Sequence, residues 1–449
     1  MKKFILFSMS MLLFACSKDD DSGFIAPVSH TFEVTYNENY DNNPAASAEI
    51  RLVNSDDGKS YVATTDENGM AEVEVVPGIY VVNVTRSFSP EEYLTFSGQE
   101  VQDVVTFNAS MEAVAINETS ATSTTIQVVT GRIGNLLIKQ IYYSGSDVRM
   151  GAMYRDQFIE LHNNSNEVIY LDDIYFAQIY GTGSVPSNIE EYHLPTGQYD
   201  WSLSLGQTDG EGANANYVYS DEVIKFPGTG QDYPLEPGKS VIVAATAVNH
   251  KAPLVVTDDE GETVTYEVPQ PELTIDLSNA SFEAYYRDYQ ESQGSSWLDS
   301  DIDNPNSANM EIVFKSYGGK DLILDPLGRD AFVLFTVDEE EFTQWNTIPA
   351  PNVGIDDMDE DTSNYLQIPT STIIDGVELQ RNDPSKGKPK RLPDAIDAGE
   401  ISGIQGQYTS ESVIRKVNRE TDGKTFYQDT NNSANDFQVL NHPQVNIEQ

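Results

Sequence analysis

The sequence predicts a mainly β protein built from two β-sandwich modules, the second enlarged by long insertions and carrying one short helix. Short apolar or alternating runs recur between clusters of Gly, Pro, Asn and Asp, which is the rhythm of strands and turns. The 3.6-residue spacing of a helix face stands out in one stretch. The chain of 449 residues exceeds one ordinary domain, and its 39% hydrophobic and 10% aromatic content suffices for genuine cores.

Charge narrows the partners. With 26 Lys+Arg against 72 Asp+Glu, the net charge is 26 − 72 = −46. Phosphate recognition needs a basic face, so a general nucleic-acid binder is excluded. The single Cys excludes an internal disulfide framework.

The elements follow in chain order. Lys2 and Lys3 precede an apolar run at 4–14 broken by Ser8 and Ser10, too short for a membrane span and suited to a secretory signal over 1–15. Leu13-Phe14-Ala15-Cys16 resembles a bacterial lipobox, which implies cleavage before Cys16 and acylation of its sulfur and its new amino group. Several acyl chains anchor a protein stably where one is marginal. Within the tether 16–27, Ser17-Lys18-Asp19-Asp20-Asp21-Ser22 is similar to the export signal of Bacteroidota surface lipoproteins. That resemblance implies a lipid-anchored outer-membrane protein exposed at the cell surface. The bland alternative is a solvated spacer, extended by like-charge repulsion.

Residues 28–130 make the first module. Strand-like runs at 48–53, 61–65, 71–76 and 79–84 are separated by Asn54-Ser55-Asp56-Asp57-Gly58, Asp66-Glu67-Asn68-Gly69 and Pro77-Gly78. Tyr80, Val82 and Val84 share one strand face. A last strand is expected at 126–130. The spacing of Asp66 and Gly69, followed by Pro77-Gly78-Ile79-Tyr80, resembles the carboxypeptidase-regulatory-like, or prealbumin-like, β-sandwich. The resemblance implies a spacer or scaffold.

Residues 131–449 make the second. A strand at 135–143 is followed by a hairpin pairing 156–163 with 168–172 across Asn164-Ser165-Asn166. Leu235-Glu236-Pro237-Gly238 precedes an apolar strand at 240–246, and an Asn/Asp-rich turn at 429–437 precedes the final strand. These islands resemble a lamin tail domain, an immunoglobulin-like sandwich. Such a domain needs about a hundred residues, so the excess falls into insertions near 181–232 and 258–367. The layout resembles an uncharacterised Bacteroidota lipoprotein family whose members accompany TonB-dependent transporters, which implies such a barrel as partner.

The helical stretch places Phe282, Tyr285, Tyr286 and Tyr289 at i, i+3, i+4 and i+7, with Asn279 as cap, Gly294 as stop and Glu283–Arg287 as an i,i+4 pair. Such a stripe is usually core.

Candidate chemistry is sparse. Asp299, Asp301 and Asp303 alternate as calcium ligands do, although Asn304 and Met310 replace the Gly and Glu of an EF-hand loop. The competing reading is a solvated Asp-rich turn. Glu160 and His162 share a strand face and offer two zinc ligands without a visible third. Tyr199, Trp201, Tyr217 and Trp297 lie in the insertions, where loop aromatics build ligand-binding surfaces. The stretch 381–424 holds nine basic and seven acidic residues, 9 − 7 = +2, and either docks an anionic partner or complements acidic loops internally. A Gly-x-Ser-x-Gly elbow and a Walker loop are missing from the sequence.

The expected function is therefore a non-catalytic surface lipoprotein that binds a ligand or accompanies a TonB-dependent transporter, with calcium as the one cofactor suggested. The alternatives are a hydrolase of extracellular polymer and a structural adhesin.

Overall fold

Strand Val28–Tyr36 opens the first module, lying parallel to Ser123–Thr130 on one side and antiparallel to Met70–Val75 on the other. This three-stranded layer faces a second one, ordered Ser60–Thr64, Glu49–Asn54, Gly78–Phe88 and Val105–Ile116. The layers join where Phe107 and Asn108 pair with Thr130 and Val129. In the computed structural model, the structure describes residues 26–445 except 37–39, 41, 56, 98–104, 121, 131–135, 166, 181–189, 196–197, 259, 382, 384–385, 388 and 422. The proposed signal and lipidated Cys16 lie outside the described residues.

Alternation builds the module core. Tyr80, Val82 and Val84, expected on one face, are all buried between the layers with Phe32, Val34, Ile50 and Leu52. The Asp66 turn is built as its sequence suggests: the carboxylate accepts the N–H groups of Asn68 (2.8 Å) and Met70 (2.9 Å), and Gly69 takes a positive φ of 73°. A helix not foreseen from the sequence, Pro90–Ser97, starts on a reciprocal cap between Ser89 and Glu92. It covers an aromatic nest of Tyr36, Tyr40, Phe88, Phe96 and Phe107.

Two further seven-stranded sheets form the body. The first runs Ala308–Asn309, Phe282–Glu283, Ser240–Ala244, Phe158–Asn163, Leu136–Tyr142, Ser412–Arg415 and Phe437–Leu440. The second runs Thr347–Pro349, Asn364–Pro369, Tyr217–Lys225, Ile174–Ile179, Ala331–Thr336 and Ile373–Glu378, with Glu311–Lys315 also paired to Tyr217–Lys225. The main core lies between them, joining Ile138, Leu161 and Val243 to Phe176, Phe332 and Val377. Outer faces are covered as well, which is why Phe158–Asn163 and Ile174–Ile179 are buried at every position. The mainly β, sandwich-like expectation holds.

Details of the body differ from the sequence reading. Phe158–Asn163 does not pair with Ile169–Tyr170; it lies between Leu136–Tyr142 and Ser240–Ala244, while Ile169–Tyr170 pairs with Pro234–Leu235. The ranges read as insertions supply Tyr217–Lys225, Ala331–Thr336 and most of Asn364–Pro369, so they build most of the second sheet, and they add Phe282–Glu283 and Ala308–Asn309 to the edge of the first. The helix is confined to Arg287–Ser292, ended at Gly294 as expected. Phe282–Glu283 is instead a strand paired on both sides. Glu283 turns inward to accept the N–H groups of Ala247 and Asn304, and Arg287 pairs with Glu291 at 3.1 Å. Sheet pairing and buried backbone partners outweigh the helical spacing there.

Candidate binding cleft

The first module presents a polar sheet face to the end of the body. Ile50 and Leu52 point into the core, so Glu49, Arg51 and Val53 point out. Register sets Thr85 beside Glu49 and Asn83 beside Arg51. Opposite stand Lys416 and the closing turn, with Gln428, Thr430, Ala434 and Asn435. Together with Ser47, Arg86 and Ser87 these residues enclose a cleft of about 760 Å³.

The two walls touch at one edge. Asn108 donates from Nδ2 to the Thr430 carbonyl and accepts from Thr85 Oγ1 at 3.0 Å, and Asn83 Oδ1 lies 3.5 Å from Asn432 Nδ2. Ser87 Oγ pairs with Thr106 Oγ1 at 3.0 Å. On the body wall, the Asn435 carbonyl accepts from Gln428 Nε2 at 3.1 Å and from the Lys416 ammonium at 2.5 Å. Arg86 turns its guanidinium over the Phe88 ring, 4.0 Å from the centroid. The lining holds three cations, Arg51, Arg86 and Lys416, and one carboxylate, Glu49, an opposite balance to that of the whole chain.

A buried arginine braces the body wall. Arg415, 2% exposed, donates to the Ile138 carbonyl (3.0 Å), to Asp375 Oδ1 (2.8 Å), to Asp429 Oδ1 (3.2 Å) and to Asp436 Oδ2 (3.3 Å). Asp436 in turn accepts the Thr430 N–H and hydroxyl, both at 2.8 Å, and Asn432 caps Ser433–Asp436. The Asn/Asp-rich turn is thus wired to both sheets through one guanidinium, whose fork suits several carboxylates. The surrounding carboxylates hold Arg415 protonated, while burial pushes Asp429 and Asp397 up to about 7.

Residues singled out in the sequence are mostly elsewhere. Asp299 and Asp303 are exposed, the latter accepting from Asn309 Nδ2 at 2.9 Å. Asp301 is buried, accepts the Tyr286 N–H at 2.8 Å and is pushed by burial up to about 8. Among the described residues no group of three or more His, Cys, Asp or Glu is arranged to hold a metal. Tyr199 and Trp201, only 3% and 5% exposed, are core: Trp201 stacks 3.6 Å from Tyr219, with Tyr217 packed alongside. Trp297 lies under the Arg287 guanidinium at 4.3 Å. The loop aromatics named from the sequence thus pack inward or against an arginine.

Glu160 pairs with Lys139 at 2.6 Å. His162, lowered to about 4 by burial, donates from Nε2 to the Thr425 carbonyl and accepts from Ser240 Oγ, both at 2.9 Å. Within 381–424, Arg391 and Arg415 are buried in pairs with Glu378 (2.9 Å) and Asp375, so these cations complement the protein's own acids. No sequence signal marked the cleft, since its walls come from residues several hundred positions apart.

Fold and cleft define a two-module β-sandwich protein with a polar groove between the modules. Residues 236–444 match a family model described as "Protein of unknown function (DUF4876)". Among solved structures, a DUF4876 family protein from Bacteroides thetaiotaomicron is 26% identical, with 92% of this chain and 95% of that chain covered and a TM-score of 0.49. Fervidolysin from Fervidobacterium pennivorans is 14% identical over 35% of this chain and 20% of its own, with a TM-score of 0.18. A DUF3823 family protein from Parabacteroides merdae is 7% identical over 34% and 66%, with a TM-score of 0.15. No curated protein matches the chain. Among the described residues no helix is long and apolar enough to cross a membrane.

Proposed function

We propose that this chain is a non-catalytic protein, held at the outer surface of the outer membrane through lipid on Cys16, that binds an extended polar ligand in the cleft between its modules. The observation that carries the reading is the cleft itself: about 760 Å³ walled by hydrogen-bonding side chains from both modules. Its volume lies within the range of about 300–1,000 Å³ over which ligand sites fall, and its polar walls suit a polar ligand. Of its hydroxyls with described partners, Thr85 and Ser87 bond to Asn108 and Thr106, and Thr430 donates to Asp436, a carboxylate already paired with Arg415, an arrangement unlike that of an activated nucleophile. The Arg415 brace supports a preorganised wall, which lowers the ordering cost of binding. The first module fits the role of spacer and of half the site.

Titration calorimetry of the chain from residue 26 onward, against neutral, acidic and basic polysaccharides, tests this. Arg51→Ala and Asn83→Ala are each expected to weaken binding about fivefold, the worth of one hydrogen bond near 1 kcal/mol. Thr85→Trp, which fills the groove from an outward position, is expected to abolish it. Binding that survives all three substitutions unchanged sinks the cleft, and turnover of the polymer sinks the non-catalytic reading.

A further inference from the structure

A second cavity, lined by loops of the body, is built from unlike materials. It measures about 170 Å³ and lies between the loop of Gly145, Ser146, Val148 and Ala152–Gln157 and the ring of Tyr408. Its rim is apolar and exposed: Val148 is 41% exposed, Met153 43% and Tyr408 42%. Exposed apolar side chains gathered round a socket mark interaction surfaces, and methionine adapts to what docks there.

Backbone strain holds one wall of the socket in place. Tyr408 and Ser410 sit at φ of 60° and 61°, a region that side chains larger than glycine's rarely occupy. Both are clamped there: the Tyr408 N–H donates to the Ser144 carbonyl (2.7 Å), the Ser410 N–H to the Gly145 carbonyl (3.0 Å) and Ser410 Oγ to the Leu273 carbonyl (2.6 Å). Gly145, itself at a φ of 64°, lies against the ring; a Cβ there would stand 3.6 Å from Tyr408 Cδ1. Strain held by this many bonds is characteristic of functional positions. Its effect here is to fix an exposed aromatic wall.

The polar floor is already committed. Asp156 accepts from Tyr142 (3.1 Å), Thr274 (2.5 Å) and the Ser146 N–H (3.3 Å), and Gln157 Nε2 donates to the carbonyls of Tyr143 and Leu324, both at 2.6 Å. Arg155 pairs with Asp321, and Arg149 pairs with Asp147. What the socket offers is apolar wall, sized for one six-membered ring, since a cavity of about 150 Å³ admits benzene. The two arginines are matched by Asp147 and Asp321 and Asp156 is buried, which leaves the exposed Glu272 beside Leu273 and the exposed Glu267 beside Tyr266, whose ring packs against Tyr154, as the acidic surroundings in a chain of −46.

We propose that this socket docks a protein partner through one aromatic side chain on an extended segment flanked by basic residues. The ring fills the cavity against Tyr408, Met153 and Val148, and the flanking cations meet the acidic surface, which speeds encounter as well as holding register.

Fluorescence anisotropy with the peptide Lys-Lys-Phe-Lys-Lys, its Ala-centred version and Glu-Glu-Phe-Glu-Glu tests the proposal. The first is expected to bind at least about tenfold more tightly than either other. Tyr408→Gly removes the ring and the strain together, so it is expected to raise Tm by a few degrees while abolishing binding. Binding of methyl pyranosides in place of the peptides overturns the assignment to a protein partner. Tyr408→Gly that retains binding overturns the socket, and one that lowers Tm shows the ring to be structural packing. Met153→Glu, at an exposed position, gives a loss of binding without a change in fold and keeps the proposal testable if the glycine variant misfolds.

Discussion

At the scale of single residues, Arg415 decides how the body holds together. Its guanidinium separates Asp375, Asp429 and Asp436, which without it face one another in a buried site. Arg415→Met is expected to cost about 3–5 kcal/mol in urea denaturation of the body, the penalty for stranding buried partners of a lost charge. Arg415→Lys keeps the charge but not the fork, and is expected to recover only part of that loss. The buried acids make a second prediction. Burial pushes Asp301 up to about 8 and Asp321 up to about 6, whereas both ionise near 4 when unfolded. Between those limits the folded chain holds more protons than the unfolded one, so stability falls as pH rises through that window and is greatest below it. Melting curves are expected to shift upward from pH 8 to pH 5.5, by at least about 1.4 kcal/mol for Asp301, one pK unit's worth. Asp301→Asn, which keeps the acceptor for the Tyr286 N–H, is expected to flatten that slope. Nothing in the run Asp299–Asp303 announced this, because alternation along a chain does not say which carboxylate turns inward.

At the scale of elements, turn chemistry proves the most legible signal and apolar spacing the least. The Asp66–Gly69 turn has both its sequence signature and its structural reason: a Cβ on Gly69 would lie 2.3 Å from the Val34 carbonyl oxygen. Gly69→Ala is therefore expected to destabilise the first module by more than about 2 kcal/mol. Gly58→Ala, at a φ of 70° with open space around it, pays only the backbone strain of about 1 kcal/mol. Chemical denaturation of the two variants distinguishes steric from conformational cost. Strands of the first module were readable because one face is buried and the other wet, as in Glu49–Asn54. In the body both faces are covered, so Ile174–Ile179 carries no alternation, and the second sheet was hidden inside segments that looked like insertions. Pro90–Ser97 carried a capping box, Ser89 with Glu92, which a search for apolar periodicity passes over. The stripe from Phe282 to Tyr289 misled because Tyr286 is held by Glu222 and Asp301 from other elements and Phe282 lies in a strand.

At the scale of the whole molecule, the candidate site was not legible at all. Arg51 and Asn435 approach each other only after both modules have folded and docked, and no local pattern encodes that meeting. The proposed envelope address is the reverse case: it rests entirely on the residues up to Ser22, with no bearing on the fold. Mass spectrometry of the protein from its native membrane is expected to show Cys16 as the first residue, carrying acyl chains, and Cys16→Ala is expected to release the protein from the membrane fraction. Finding the intact signal, or an unmodified thiol, removes the anchor from the proposal.

The parallel pairing of the module's first and last strands has a mechanical consequence. Thr31–Tyr36 runs beside Ser123–Val128 in six matched positions. A pull applied before Val28 and after Thr130 therefore slides the two strands along each other and loads all those bonds together. Across Val53 and Ser60, neighbours in an antiparallel hairpin, the same pull opens bonds one at a time. Single-molecule stretching is expected to show a markedly higher rupture force between the termini than across that hairpin, the behaviour of a shear-resistant link.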